Sequence, residues 1–142
     1  MSEVNRDRVR LLVDALRSGE FKQGRGRLNR DDELCCLGVA CVVAQRAGLA
    51  LRAYTDEDGD VHYGRDDDGW KDEEDYAQLP RSVQEWYGFE FNDPELRAAV
   101  DGEHEDTYQA STLNDDYAYD FAQIADAFER TFLLGEENAV TR

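Results

Sequence analysis

The segment Cys35–Ala44 contains no charged residue, in a chain where 35% of the 142 residues are charged. No other stretch of this length is free of charge, so this one is the natural centre of a core. It opens with Cys35-Cys-Leu-Gly-Val-Ala-Cys41, and Gly48 offers a stop beyond its end. We predict a core helix over Cys35–Arg46, in which Gly38 permits close approach of a neighbouring element.

The cysteine content points to a reducing compartment. There are three cysteines, an odd number, which argues against a disulfide framework. Cys36 and Cys41 do not share a helix face, no CxxC pair is present, and His62 and His104 lack the spacing of a helical pair. We therefore predict no metal site and no cofactor.

Cys36 has two interpretations that the sequence leaves open. Packing in the core is the usual role of a cysteine in such a helix. Alternatively, a thiolate at a helix N-terminus is stabilised by the helix dipole, and the order Cys36, His62, Asn114 matches papain-like cysteine hydrolases. In those enzymes a downstream amide orients the histidine, so this alternative makes the three residues catalytic.

Periodicity and capping signals predict an α+β fold, a mostly helical single domain over 1–142 with one small β-hairpin or sheet. The last helix has the clearest start, because Asp120 and Gln123 form a capping box. The predicted elements are a helix over about 5–18, the core helix, a hairpin over 49–65 turning on Asp58-Gly59, a short helix from Pro80 to Gly88, a helix from Asp93-Pro94 to near Gly102, and a helix from Asp120 to Gly135.

Positive charge is concentrated at the start of the chain. The first thirty residues carry eight basic and four acidic side chains, and the remaining 112 carry eight basic and 29 acidic. The segment 17–30, which we call the basic loop, combines this charge with glycines that let a backbone wrap an anion. Turns at Gly24 and Gly26, with arginines paired to surface carboxylates, are the alternative explanation.

The types of charged side chain in this acidic chain form a second pattern. Only two of sixteen basic residues are lysine, and aspartate outnumbers glutamate nineteen to fourteen. Carboxylates spread over loops and helix faces are typical of a protein kept soluble in concentrated salt. A DNA mimic would instead gather its carboxylates in one stripe, so halophilic adaptation is favoured.

The turn Asp56-Glu-Asp-Gly-Asp60 resembles the start of an EF-hand loop, with alternating aspartates. The sixth position is Val61 where the calcium loop needs glycine, and the twelfth is Asp67 rather than glutamate. A hairpin turn explains these residues, and loose cation binding is the most that the pattern supports.

Several motifs occur together in a fixed order. They are RSGEFKQGRGRL (17–28), CCLGVAC (35–41), Leu79-Pro80, LND (113–115) and FAQIAD (121–126). In this combination the chain resembles a family of small proteins from tailed phages and archaeal viruses; 55–78 and 90–108 lie outside the resemblance. It implies no established activity, but it implies a virus-encoded accessory protein in a host cytoplasm, and such genes often neutralise host defence.

We predict that the chain binds a small phosphorylated, nucleotide-like ligand rather than turning one over. In strong salt a diffuse basic patch is screened within roughly 3 Å at 1 M, which favours enclosed contacts to a small ligand over a nucleic acid duplex. The aromatic residues available to stack a base are Phe21, Tyr54, Tyr63 and Trp70. The predicted ligand-binding residues are Lys22, Gln23, Gly24, Arg25, Gly26, Arg27, Arg30, Asn114 and Asp115, with Asn114 and Asp115 on a turn outside the core.

The alternative function is an acidic inhibitor that docks on a host defence protein. The expected partner is thus a small nucleotide-like ligand or a host protein. We expect no association with a membrane, because the N-terminus is charged from Glu3 and no apolar run is long enough to span one. The oligomeric state stays open.

Overall fold

The computed structural model describes residues 4–25, 28–30, 32–64 and 78–134. It confirms an α+β fold in which helices surround a buried central helix and small sheets lie between them. The helices of the described part are α1 (Arg6–Arg17), α2 (Cys36–Arg46), α3 (Arg81–Tyr87), α4 (Ala110–Asp115) and α5 (Phe121–Glu129), and α5 continues into a π-helical turn over Arg130–Leu134. The strands are β1 (Lys22–Gln23), β2 (Asn29–Arg30), β3 (Glu33–Leu34), β4 (Arg52–Thr55), β5 (Val61–Gly64), β6 (Glu95–Ala98) and β7 (Asp106–Gln109).

The uncharged segment forms the central helix α2, as predicted. Its residues from Cys36 to Cys41 are all buried. A Cβ atom added at Gly38 would lie 1.8 Å from the carbonyl oxygen of Leu28, so the chain just before β2 crosses the helix at backbone contact. Only glycine fits at this crossing.

The outer helices pack through amphipathic faces. α1 buries Val9, Leu12, Val13 and Leu16 and lies against α5 and α2. The predicted capping box of α5 is present, since the Asp120 side chain accepts from the Gln123 backbone and the Gln123 side chain accepts from the Asp120 backbone. α3 ends at Gly88, which adopts φ 81° as a left-handed C-cap.

The described residues form three small sheets, whereas the sequence predicted one hairpin. The predicted hairpin is β4–β5, with Thr55 opposite Val61. In the first sheet β3 lies between β1, to which it is parallel, and β2, to which it is antiparallel. The third sheet pairs β6 with β7 antiparallel.

The helix predicted from Asp93-Pro94 to Gly102 is wrong, because residues Glu95–Ala98 form strand β6. Leu96 and Ala98 are buried while Glu95 and Arg97 are exposed, which is the period of two expected of a strand with one face on the core. The Asp93 carboxylate instead accepts from the backbone and hydroxyl of Ser111, at 3.0 and 2.5 Å. It thereby caps α4, a helix that the sequence did not predict.

Candidate functional site

The side chain of Asn114 ties three distant segments together. Its Oδ1 accepts from Gln23 Nε2 at 2.9 Å and from the backbone N–H of Cys36 at 3.3 Å. Its Nδ2 donates to the carbonyl of Gly24 at 2.9 Å and to Asp115 at 2.8 Å. Asn114 is fully buried on α4, so the prediction that it lies on a turn outside the core is wrong. Its amide holds the basic loop against the N-terminus of α2.

Gln23 and Gly24 are also engaged inside the protein. Gln23 Nε2 donates to the carbonyl of Tyr119 at 2.7 Å as well as to Asn114. The Gly24 N–H donates to the Leu34 carbonyl at 2.7 Å, and a Cβ at Gly24 would lie 2.9 Å from the Cβ of Glu33. Both residues therefore shape the basic loop, and their polar groups face protein partners.

Arg25 is exposed and anchored at one end. Its Nε donates to the backbone carbonyl of Asn114 at 3.1 Å. Within the part of the chain that the structure describes, its terminal nitrogens make no hydrogen bond or ion pair. The guanidinium is thus oriented by the same residue that holds the basic loop.

Two other cations of the basic loop, Lys22 and Arg30, pair with carboxylates. Lys22, with 75% of its side chain exposed, lies 3.1 Å from Glu33. Arg30 lies 3.4 Å from the buried Asp60. Asp115 is half-buried beside Asn114, whereas Gly26 and Arg27 lie outside the described residues. Exposed pairs such as Lys22–Glu33 contribute about 0–1 kcal/mol, so a ligand anion can displace them.

The contacts of Cys36, His62 and Asn114 do not build a papain-like relay. Cys36 is fully buried and its thiol lies 3.7 Å from the Ala110 carbonyl, while burial raises its pKa well above the usual range. His62 Nε2 faces Asp56 at 2.9 Å, and the Asn114 amide is bonded to the backbone of Cys36. A buried thiol that stays protonated is chemically inert, so Cys36 has the character of a core residue.

We expect Cys36→Ser to lower the free energy of unfolding by about 1–3 kcal/mol, because a hydroxyl replaces an apolar thiol in the core. Urea denaturation measures this loss. Iodoacetamide should label Cys36 only slowly at neutral pH, and rapid labelling of the folded protein would contradict its burial.

Three aspartates, Asp56, Asp58 and Asp60, lie close together in the turn between β4 and β5. The Asp56 carboxylate accepts from the N–H groups of Asp58 and Asp60 at 2.9 and 3.1 Å, and oxygens of all three lie within 4.8 Å of one another. The bond from His62, followed by these backbone bonds, lowers the pKa of Asp56. A hairpin turn accounts for this arrangement.

Two surface depressions had no signal in the sequence. One is a cleft of about 190 Å³ between β6 and α5, lined by Arg97, Tyr119 and Arg130 among others. The other is a groove of about 530 Å³ with Phe89 and Phe132 in its lining and Glu85 and Glu90 beside them. Their linings come from segments far apart in sequence, and the cleft borders a strand that was predicted as a helix.

Comparisons with known proteins give one family. A family model described as a domain of unknown function, DUF8296, matches residues 5–132. No curated protein and no solved structure matches the chain. Among the described residues, no helix is long and apolar enough to cross a membrane.

Proposed function

We propose that this chain, which belongs to the DUF8296 family, binds a small phosphorylated, nucleotide-like ligand at the basic loop and sequesters it. In this proposal it is a virus-encoded accessory protein that acts in the host cytoplasm and removes a signalling nucleotide. The viral and anti-defence parts rest on the resemblance of its motifs, and the binding part rests on the geometry around Arg25.

The observation that supports phosphate binding is the anchoring of Arg25. A free arginine loses side-chain entropy on binding an anion, of the order of 2 kcal/mol for full immobilisation. Here the bond from Nε to Asn114 already restricts the side chain of an exposed residue, and its terminal nitrogens make no bond to any residue that the structure describes. Such a preoriented guanidinium suits bidentate contact with a phosphate.

Lys22 adds a second exposed cation, three residues before Arg25 in the sequence. Its pairing with Glu33 is a surface salt bridge, so exchange of the carboxylate for a phosphate changes little in the protein. The two side chains together would neutralise the charge of a phosphate monoester.

A small ligand suits this site better than a duplex. Beyond residue 30 the chain carries 29 acidic side chains and eight basic ones. A duplex would place further phosphates against that acidic surface, where like charges repel. A ligand with a single phosphate meets only the basic loop.

The motif residues also fit a binding role. Gln23, Gly24, Cys36 and Asn114 belong to three motifs of the viral resemblance, and in the structure they meet around one side-chain amide. They hold the backbone on which Arg25 is presented. The burial of Cys36 leaves no nucleophile of this set at the surface, which supports binding over hydrolysis.

We expect Arg25→Gln to weaken AMP binding by about 1.5–3 kcal/mol, tenfold or more, because a charge-assisted contact is lost. The melting temperature should change little, since Arg25 is exposed. Isothermal titration calorimetry at low salt measures the affinity. Arg46→Gln is the matched control, because Arg46 is also exposed and pairs with Glu20. Equal affinity of the native protein and Arg25→Gln would overturn the proposal.

The groove beside Phe132 supports a second candidate function, docking on a partner protein. An adjoining hollow of about 130 Å³ adds Phe91 and Glu95, and Phe91 is 50% exposed. The described lining contains aromatic and acidic side chains and no basic one. The occupant that this chemistry fits is a cationic amphipathic helix of the partner.

For this candidate we expect Phe91→Ser to weaken binding of a short amphipathic Leu/Lys peptide about tenfold, through loss of an aromatic contact. Tyr54→Ser, on strand β4, is the control, because Tyr54 has similar exposure. Fluorescence anisotropy at high salt measures the affinity with surface charge screened. If both variants bind the peptide like the native protein, the groove is not its docking site.

A further inference from the structure

The cleft between β6 and α5 has an excess of positive charge. It is lined by Arg97, Arg130 and Asp126, and Asp126 is already paired with Arg17 at 2.6 Å. Arg130 lies 3.8 Å from Glu105, at the limit of an ion pair, and both side chains are about half exposed. The Arg97 side chain is exposed and makes no hydrogen bond or ion pair to any residue that the structure describes. Two guanidinium groups therefore border the cleft, while the carboxylate of Asp126 is paired with Arg17.

Three tyrosines lie near one another, and one of them borders the cleft. Tyr119 is part of its lining, and Tyr117 is 44% exposed. Tyr117 meets Tyr108 edge to face, with ring centroids 5.2 Å apart. Desolvation, followed by the nearby phenol of Tyr117, raises the pKa of Tyr108, and Tyr119 adds to the effect. An exposed ring held by an aromatic neighbour is a surface on which a base can stack.

The basic loop contacts a residue of the cleft lining, Tyr119. Gln23 in β1 donates to the Tyr119 carbonyl and to the Asn114 side chain. Arg25 donates to the Asn114 carbonyl. These hydrogen bonds connect Arg25, through Asn114 and Gln23, to the backbone of Tyr119, whose residue also lines the cleft.

We propose that the cleft lined by Arg97, Arg130 and Tyr119 is a second subsite for the ligand of the basic loop, and that this ligand is a dinucleotide with two separated phosphates. One phosphate binds Arg25, the other binds Arg97 and Arg130, and a base stacks on Tyr117. This inference rests on the proposed function, since it extends the same site. A mononucleotide would fill only one of the two cationic positions.

The test uses two probes, AMP and 5′-phosphorylated diadenylate, titrated by calorimetry into the full-length protein. The native protein should bind diadenylate at least tenfold more tightly than AMP, because a second set of charge-assisted contacts forms. Arg97→Gln and Arg130→Gln should each weaken diadenylate binding several-fold or more and leave AMP binding unchanged. Arg25→Gln should weaken both probes. Tyr117→Leu should weaken diadenylate binding through loss of stacking, without loss of fold.

The outcomes separate the two proposals. If Arg25→Gln weakens both probes while the Arg97 and Arg130 variants bind diadenylate normally, the basic loop binds phosphate but the cleft is not a subsite. If the native protein binds diadenylate no more tightly than AMP, the dinucleotide inference is overturned. If neither probe binds the native protein, both the inference and the proposed function for these nucleotides fail. Arg46→Gln again serves as the control, with unchanged affinity for both probes.

Discussion

Asn114→Ala is expected to lower the free energy of unfolding by about 3 kcal/mol or more, a large loss for a single substitution. Alanine leaves the Gly24 carbonyl, the Cys36 N–H and the Gln23 amide without the partner that each has in the native protein. Each buried polar group left without a hydrogen bond costs about 1–3 kcal/mol. Urea denaturation followed by circular dichroism measures the loss.

Gln23→Ala is the matched control, because it removes one partner of Asn114 and leaves the bonds to Gly24 and Cys36 in place. It should destabilise the protein clearly less than Asn114→Ala. If Asn114→Ala lowers the free energy of unfolding by less than about 1 kcal/mol, the Asn114 amide does not hold these segments together.

Gly38→Ala is expected to destabilise by about 3 kcal/mol or more, or to prevent folding, because the new methyl group would collide with backbone. The added Cβ would lie 1.8 Å from the oxygen and 2.7 Å from the carbon of the Leu28 carbonyl. These atoms cannot move without displacing the segment that leads into β2. The same denaturation experiment tests the effect.

The sign of the Gly38→Ala effect is itself diagnostic. In a helix interior alanine is favoured over glycine by about 1 kcal/mol, so a position without the backbone contact would gain stability. An unchanged or more stable Gly38→Ala protein would show that Leu28 does not cross α2 at this point.

Local signals in the sequence identified most helices correctly. The uncharged run predicts helix α2, and the capping box at Asp120 predicts the start of helix α5. The β4–β5 hairpin follows from a glycine turn between apolar strands. In each case the information lies within one short segment, where periodicity and caps act.

The interior role of Asn114 could not be predicted in this way. Its partners Gln23, Gly24 and Cys36 are between 78 and 91 residues away in sequence. A short polar residue after a leucine usually signals a turn, and only the distant backbone groups make its burial favourable. The sequence did place Arg25 and Asn114 in one site, and the structure brings them into contact.

Strand β6 was missed for a related reason. Asp93-Pro94 is a good helix start in isolation, yet Asp93 caps α4 through Ser111, and the following residues pair with β7. Arg97 lies on this strand and lines the cleft, a position that a helix over the same residues does not predict. Pairing between strands that are distant in sequence overrides a local signal.

Phosphate binding by the basic loop at Arg25 is the proposal on which the dinucleotide inference also rests. Two-dimensional ¹H–¹⁵N NMR during titration with AMP tests it most directly, because it reports on individual amides and on the arginine Nε–H. We expect saturable shifts of the Arg25 Nε–H and of the backbone amides of Lys22 to Arg25, and their disappearance in Arg25→Gln. Shifts of equal size at Arg46 and Arg25, or none at the basic loop, would contradict it.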